Sequence, residues 1–128
     1  MSDHHPRIGG LQLAIIVLTV VTALIHLFLG FSFLSFGPSL LPILFILNGI
    51  GYLGLLGLLY LPIDAVASYR STVRWALIAF TAVTIVAFLL MGLKGAGLLA
   101  YSTKIIEVVL IVLLVMEGRQ AQPQPATK

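Results

Sequence analysis

Residues 101–116 read Tyr101-Ser-Thr-Lys-Ile-Ile-Glu-Val-Val-Leu-Ile-Val-Leu-Leu-Val-Met116, an apolar run of membrane-spanning length that contains two charged residues. A helix needs about 20 apolar residues to cross the hydrocarbon core of a bilayer. Lys104 and Glu107 lie inside this run, and ionisable side chains at membrane depth are costly enough to suggest a functional or partner-binding position. We therefore predict that Glu107 faces the interior of a helix bundle and not lipid.

The composition of the whole chain excludes a soluble domain. Of 128 residues, 60% are hydrophobic and 9% are charged, whereas a soluble domain is about 45–50% apolar and about 25% charged. No Asp, Glu, Lys or Arg occurs between Arg7 and Asp64, which leaves room for two spans, and the segment from Arg74 to Met116 has room for two more. The sequence predicts an all-α membrane protein with four transmembrane helices.

Glycine and proline divide the apolar sequence into segments. Turns are expected at Ser35-Phe-Gly-Pro-Ser39, after Pro62 and around Gly92-Leu-Lys-Gly-Ala-Gly97. The predicted spans are 11–35, 40–61, 72–93 and 98–116, and short loops between successive helices favour an up-down-up-down bundle. We expect residues 1–10 to form an N-terminal tail, and the Pro/Gln-rich residues 117–128 to be disordered.

The basic residues predict an orientation. With four spans, one side of the membrane holds five of them (Arg7, Arg70, Arg74, Arg119 and Lys128). The loops of the other side hold Lys94 alone. The positive-inside rule therefore predicts that both termini lie in the cytoplasm. The expected location of the protein is the cell membrane, that is, the plasma or inner membrane. Because these residues are scattered and do not form one basic face, we expect no nucleic-acid partner.

The predicted topology also brings polar residues to one depth. With a rise of about 1.5 Å per residue, one level in the outer half of the bilayer contains part of each of the four helices. We use the name polar layer for the polar and charged residues that are predicted at this level, which are His26, Asn48, Thr84, Lys104 and Glu107. Lys104 is one turn from Glu107 and can extend its ammonium toward the outer surface. Interhelical hydrogen bonding is the simplest role for this layer. The alternatives are a proton-handling or ligand role and contact with a polar residue of another protein.

Small residues predict where the helices touch. Lipid tails provide no hydrophobic force between helices, so glycine and hydroxyl residues mark the packed faces. Thr19, Thr22, His26 and Gly30 follow one stripe of the first helix, which should turn His26 inward. In the second helix we predict packing at Gly49, Gly51, Gly54 and Gly57.

Three functions remain open from the sequence. The first is an accessory, assembly or structural subunit of a larger membrane complex, because the chain has packing residues but no soluble domain. The second is a small homo-oligomeric transporter or proton-conducting module that uses Glu107, Lys104 and His26. The third is a redox module whose haem is shared across a dimer, since His26 is the one histidine within a span.

Catalysis is not expected. No nucleophile elbow, His-Glu-x-x-His motif or Asp pair occurs, so no catalytic residue can be assigned. The chain has no cysteine and no cluster of metal ligands, and we predict neither a metal nor a resident cofactor. The expected partners are the lipid bilayer and either a larger membrane complex or further copies of this chain.

Three short motifs carry a resemblance to known proteins. They are His26-Leu-Phe-Leu-Gly30, Leu47-Asn-Gly-Ile-Gly-Tyr-Leu-Gly54 and Lys104-Ile-Ile-Glu-Val-Val-Leu110. Together they resemble small, uncharacterised four-helix membrane proteins of bacteria and archaea. The resemblance covers most of residues 11–116 and implies the four-span fold, but no activity.

Overall fold

The computed structural model describes residues 8–37, 40–90 and 97–121. Its helices are α1 (Gly10–Leu34), α2 (Leu40–Tyr60), α3 (Asp64–Ala67), α4 (Arg70–Leu90) and α5 (Leu98–Ala121). No β-strand occurs in these described ranges, and every helix except the one-turn α3 is long and apolar enough to cross a membrane. The predicted all-α fold with four spans is confirmed.

The helices begin and end near the predicted bounds, with one clear difference in α5. The predicted span stopped at Met116, where the apolar run ends, whereas α5 continues to Ala121. Glu117 lies in this extension and is buried against Arg74. Because a buried partner satisfies its charge, the helix continues beyond the apolar run. Residues 1–7 and 122–128 of the predicted tails, and the predicted end of the third span at 91–93, lie outside the described residues.

Arg70 closes the junction between α2 and α4. The last carbonyl groups of a helix lack partners within it, and Pro62, which follows α2, has no N–H with which to continue the helix. The Arg70 guanidinium donates from Nε to the carbonyl oxygen of Leu59 at 3.2 Å and from Nη2 to that of Leu61 at 2.8 Å. These bonds hold the beginning of α4 against the end of α2.

The four long helices form a ring in chain order. α1 packs against α2, α2 against α4, α4 against α5, and α5 returns to α1. Successive helices run in opposite directions, so the structure confirms the predicted up-down-up-down bundle.

The buried face of each long helix repeats at alternating steps of three and four residues, as in left-handed helix bundles. In α5 this stripe contains Thr103, Glu107, Leu110, Leu114 and Glu117, all of which are buried. The other helices follow the same spacing, with Ile15, Thr19, Thr22 and His26 in α1, Gly49, Tyr52, Leu56 and Leu59 in α2, and Arg74, Leu77, Thr81 and Thr84 in α4. Large apolar side chains cover the outside of the bundle, where lipid would contact them.

Two glycines allow α1 and α2 to approach backbone to backbone. A Cβ atom added at Gly30 would lie 3.0 Å from the carbonyl oxygen of Pro42, and one added at Gly49 would lie 2.8 Å from that of Ala23. The first distance is tighter than nearly all Cβ contacts in real structures, and the second is shorter than real Cβ atoms show. The turn after α1 contains Gly37 with a φ of 121°, a conformation that favours glycine.

Candidate functional site

The charged pair of α5 is formed within the bundle. The ammonium of Lys104 donates to Oε2 of Glu107 at 2.8 Å and lies 5.1 Å from the centre of the Phe88 ring in α4. Glu107 is fully buried and faces the interior, while the Lys104 side chain retains 16% of its exposure. The pair therefore reaches from the centre of the bundle toward the end where α5 begins.

His26 approaches the other oxygen of the same carboxylate. Its Nδ1 lies 2.8 Å from the carbonyl oxygen of Thr22. Because a carbonyl can only accept, Nδ1 carries the hydrogen, and the neutral ring then presents the lone pair of Nε2 to its other side. Nε2 lies 3.6 Å from Oε1 of Glu107, which is too long for a hydrogen bond. Two acceptors thus face each other, and a proton on either would join them.

Asn48 and Thr84 form a second part of the polar layer. The Asn48 amide donates from Nδ2 to Oγ1 of Thr84 at 2.8 Å, and that hydroxyl donates in turn to the carbonyl oxygen of Phe80 at 2.9 Å. This chain of donors defines which way the amide points. Oδ1 of Asn48 is consequently a buried acceptor with no hydrogen-bond partner among the described residues.

Tyr52 belongs to this region, although the sequence interpretation missed it. It is fully buried, and its ring lies 5.8 Å from that of His26 and 4.9 Å from that of Phe80. Its hydroxyl is close to Glu107 but has no hydrogen-bond partner within the described part of the chain. The signal was available, because tyrosine usually lies at membrane interfaces and this one lies in the middle of a span.

A cavity of about 640 Å³ opens beside the polar layer, between α1, α2, α4 and α5. Of the predicted residues, His26, Asn48, Thr84 and Lys104 line it. The remaining lining is mostly apolar and consists of Leu29, Phe33, Leu41, Leu44, Phe45, Leu47, Phe80, Val83, Ala87, Phe88, Gly97, Leu99, Ala100 and Thr103. Most of these residues belong to the end of the bundle that contains the α1–α2 turn. No feature of the sequence predicts this cavity.

The four predicted packing glycines of α2 divide into two pairs. Gly49 contacts α1, and a Cβ atom at Gly51 would lie 2.6 Å from the Phe80 ring in α4. Gly54 and Gly57 are exposed, and an added Cβ atom would meet nothing within 4 Å. Two of the four thus lie on the packed face, and two lie on the outer face of the bundle.

A second buried ionic group lies near the opposite end of the bundle. Oε1 of Glu117 accepts from Nε of Arg74 at 2.9 Å, and Oε2 accepts from the Tyr60 hydroxyl at 2.6 Å. We call Tyr60, Arg74 and Glu117 the end cluster. The sequence interpretation missed it, because it assigned Arg74 to a loop edge and Glu117 to a tail. The spacing of Glu117 from Glu107 and Leu110 along one helical stripe was the available signal.

The described residues contain no group of three His, Asp or Glu side chains that could hold a metal ion. The site therefore consists of hydrogen-bonding and ionic groups beside a cavity. Such an arrangement can bind a polar group or a proton.

Four spanning helices around buried polar residues define the class, which is a small multi-pass membrane protein. The chain belongs to a family of unknown function, DUF7475, whose family model matches residues 6–116. This match supports the resemblance to uncharacterised small membrane proteins that the sequence motifs suggested, and it brings no activity. No match was found among curated proteins or among solved structures.

Proposed function

We propose that this protein is a non-catalytic membrane protein that binds a small amphiphilic molecule in the cavity between its long helices. The observation that carries the proposal is the lining of the cavity, in which apolar walls meet the polar side chains of Lys104, His26 and Asn48. Small-molecule sites combine mostly apolar walls with a few polar groups in volumes of about 300–1,000 Å³. The cavity, at about 640 Å³, lies within that range.

Lys104 is the group best suited to bind the polar end of such a ligand. An ammonium has three N–H donors, and one of them is used on Glu107. The side chain also keeps part of its exposure and lines the cavity. The Phe33, Phe45 and Phe88 rings line the same cavity and suit an alkyl chain.

The buried apolar core favours binding over conduction by a single chain. Between the polar layer and the end cluster lies a cluster of completely buried side chains, which includes Ile15, Leu59, Leu77, Leu110 and Leu114. Two buried hydroxyls in the same part of the bundle, those of Thr19 and Thr81, donate to carbonyl oxygens of their own helices. The transporter alternative would therefore require a second arrangement of the helices or an oligomer.

The haem alternative is disfavoured by the surroundings of His26. Its Nδ1 is bonded to the carbonyl oxygen of Thr22, and its Nε2 is directed at Glu107. An axial ligand must direct one ring nitrogen at the iron. His26 would have to give up one of these two contacts to do so.

The positions of the basic residues support an orientation for the proposed site. Arg70, Arg74 and Arg119 belong to the end of the bundle opposite the cavity, at the α2–α4 junction and the end of α5. This favours cytoplasmic termini in the plasma or inner membrane, with the cavity in the outer half of the bilayer.

A subunit role in a larger membrane complex is the second candidate, and the outer face of α2 favours it. Gly54 and Gly57 are exposed there and leave the backbone open to close approach, which is how transmembrane helices pair. Replacing Gly54 with Leu would then release a stoichiometric partner during purification in mild detergent. Unchanged migration as a small free species, with no partner in either variant, would contradict this role.

A ligand-exclusion experiment tests the amphiphile proposal. Ala87 lines the cavity, so the indole of Ala87→Trp should occupy part of it. The substitution should reduce binding of a fluorescent single-chain amphiphile by the full-length protein in phosphatidylcholine nanodiscs at least tenfold. Ala79→Trp is the matched control, because Ala79 is exposed on the same helix and does not line the cavity. Equal binding by both variants and the unaltered protein would contradict the proposal.

A further inference from the structure

We infer that the cavity selects an anionic amphiphile and that one proton is taken up with it. In this inference, which rests on the proposed function, the ammonium of Lys104 leaves the Glu107 carboxylate and pairs with the anionic head group. Glu107 then binds a proton that it shares with Nε2 of His26. The anion and the proton enter together, so the charge of the site does not change.

Charge balance is the first reason for this inference. Lys104 and Glu107 together carry no net charge at 2.8 Å separation, and an added anion would leave one negative charge uncompensated. An unpaired charge in a low-dielectric interior is costly, and it is usually removed by a change of protonation. A proton on Glu107 restores neutrality without the entry of another ion.

The geometry around Glu107 is the second reason. Oε1 is a buried acceptor without a hydrogen-bond partner among the described residues, and it faces Nε2 of His26 at 3.6 Å. A proton on the carboxyl group would be donated to that nitrogen after a small movement of either side chain.

No other titratable group in the described chain competes for this proton at the same level. α1 contributes His26, α2 contributes Tyr52 and α5 contributes Lys104. At the level of Glu107, α4 contributes hydroxyl groups. Its charged residues, Arg70 and Arg74, lie at the beginning of the helix, far from this level.

Lys104 is placed to change partners. It lies in the second turn of α5, lines the cavity and retains 16% of its side-chain exposure. Its four-carbon stem can rotate the ammonium from Glu107 into the cavity without a change in the helix. Glu107 is fully buried and is not among the residues that line the cavity, so the proton and the anion occupy separate positions.

The test compares a permanently charged probe with a neutral one. Full-length protein in phosphatidylcholine nanodiscs is titrated with a pyrene-labelled alkyl sulfonate and with the matching alkyl alcohol. The sulfonate does not titrate, so any pH dependence belongs to the protein. Its affinity should rise by up to about tenfold per unit of falling pH, the limit for one proton. Calorimetry in two buffers of different ionisation enthalpy should give one proton taken up per sulfonate.

Two variants separate the roles. Lys104→Gln should weaken sulfonate binding at least tenfold and weaken alcohol binding far less, because the neutral head group forms no ion pair with the ammonium. Glu107→Gln should bind sulfonate at every pH as tightly as the unaltered protein does at low pH, with no proton uptake. Helical content and thermal unfolding of both variants, measured by circular dichroism, check that they fold.

The outcomes distinguish this inference from the proposed function. Equal and pH-independent binding of sulfonate and alcohol would overturn the inference and leave amphiphile binding intact. Failure of both probes to bind would overturn the proposed function itself. Displacement of the sulfonate by anionic phosphatidylglycerol in the disc would identify a lipid head group as the source of the anion, and lack of displacement would identify a free single-chain anion.

Discussion

Glu107 and Glu117 lie on one buried stripe of α5, but their carboxylates have very different surroundings. Both oxygens of Glu117 accept hydrogen bonds, one from Arg74 in α4 and one from Tyr60 in α2. Glu107 accepts one bond, from Lys104 in its own helix, and its other oxygen faces His26 without a hydrogen bond. The end cluster is therefore satisfied within the chain, whereas the polar layer retains acceptor capacity.

This difference indicates that the end cluster contributes mainly to stability and the polar layer mainly to function. The end cluster joins three helices through one carboxylate, so each of its members stabilises the bundle. In the polar layer, the ion pair is local to α5 and lies beside a cavity. Oε1 of Glu107 is buried without a hydrogen bond, and an unpaired buried acceptor lowers the stability of the folded protein. A purely structural role for the pair does not account for this cost. We therefore expect substitutions in the end cluster to change folding most, and substitutions around Glu107 to change binding.

The largest effect is expected from Arg74→Met. Removing this guanidinium leaves the Glu117 carboxylate buried without its cation, and breaking a buried pair should lower the free energy of unfolding by about 3 kcal/mol. Equilibrium unfolding in mixed micelles, followed by circular dichroism, measures the change. Arg119→Met is the matched control, since Arg119 is exposed, and it should change stability by less than about 0.5 kcal/mol. Similar changes in unfolding free energy for the two variants would contradict a structural role for the end cluster.

The next largest effect is expected from Gly49→Ala, which disturbs the close packing of α1 against α2. The new methyl group would lie 2.8 Å from the Ala23 carbonyl oxygen, so α1 must move away, at a cost of about 2 kcal/mol in unfolding free energy. Gly54→Ala, where the methyl group meets nothing within 4 Å, should be neutral or slightly stabilising. The same unfolding experiment compares the two, and a loss of stability in Gly54→Ala would instead indicate a partner on that face.

A pair of tyrosine variants compares the two regions directly. Tyr60→Phe removes a hydrogen bond to the charged Glu117 and should lower the free energy of unfolding by about 1 kcal/mol. Tyr52→Phe removes a hydroxyl without a partner among the described residues and should leave stability within about 0.5 kcal/mol. Thermal unfolding in the same detergent ranks them. The reverse ranking would mean that the hydroxyl of Tyr52 is bonded in the folded protein.

The smallest effect on stability is expected from Glu107→Gln. Glutamine keeps an acceptor for Lys104, and its amide N–H can face the Nε2 lone pair of His26. We expect a change of less than about 0.5 kcal/mol in the free energy of unfolding, compared with a clearly larger loss for Glu117→Gln, which loses its charge beside Arg74. Equal losses for the two variants in chemical unfolding would contradict the distinction between the clusters.

Part of the site could be predicted from the sequence. A charged pair in an apolar run identified Lys104 and Glu107, and depth counting brought His26, Asn48 and Thr84 to the same level as this pair. The structure adds that Nε2 of His26 lies 3.6 Å from Oε1 of Glu107, a distance that depth counting along separate helices cannot give. Tyr52 was missed because a tyrosine in an apolar run adds no charge to the pattern.

The number of spans and their approximate bounds follow from the sequence alone. In lipid, every backbone N–H and C=O must be satisfied within the segment, so an apolar run of sufficient length has to be a helix. The polar residues of α1 and α5 indicate which face of these two helices is buried, whereas the rotation of α2 and α4 about their axes follows only from the tertiary structure, because these segments are apolar on nearly every side. That rotation buries Gly49 and exposes Gly54 and Gly57, joins Arg74 to Glu117, and opens the cavity beside Lys104. Contacts between helices decide it, and those contacts involve residues that are far apart in the sequence.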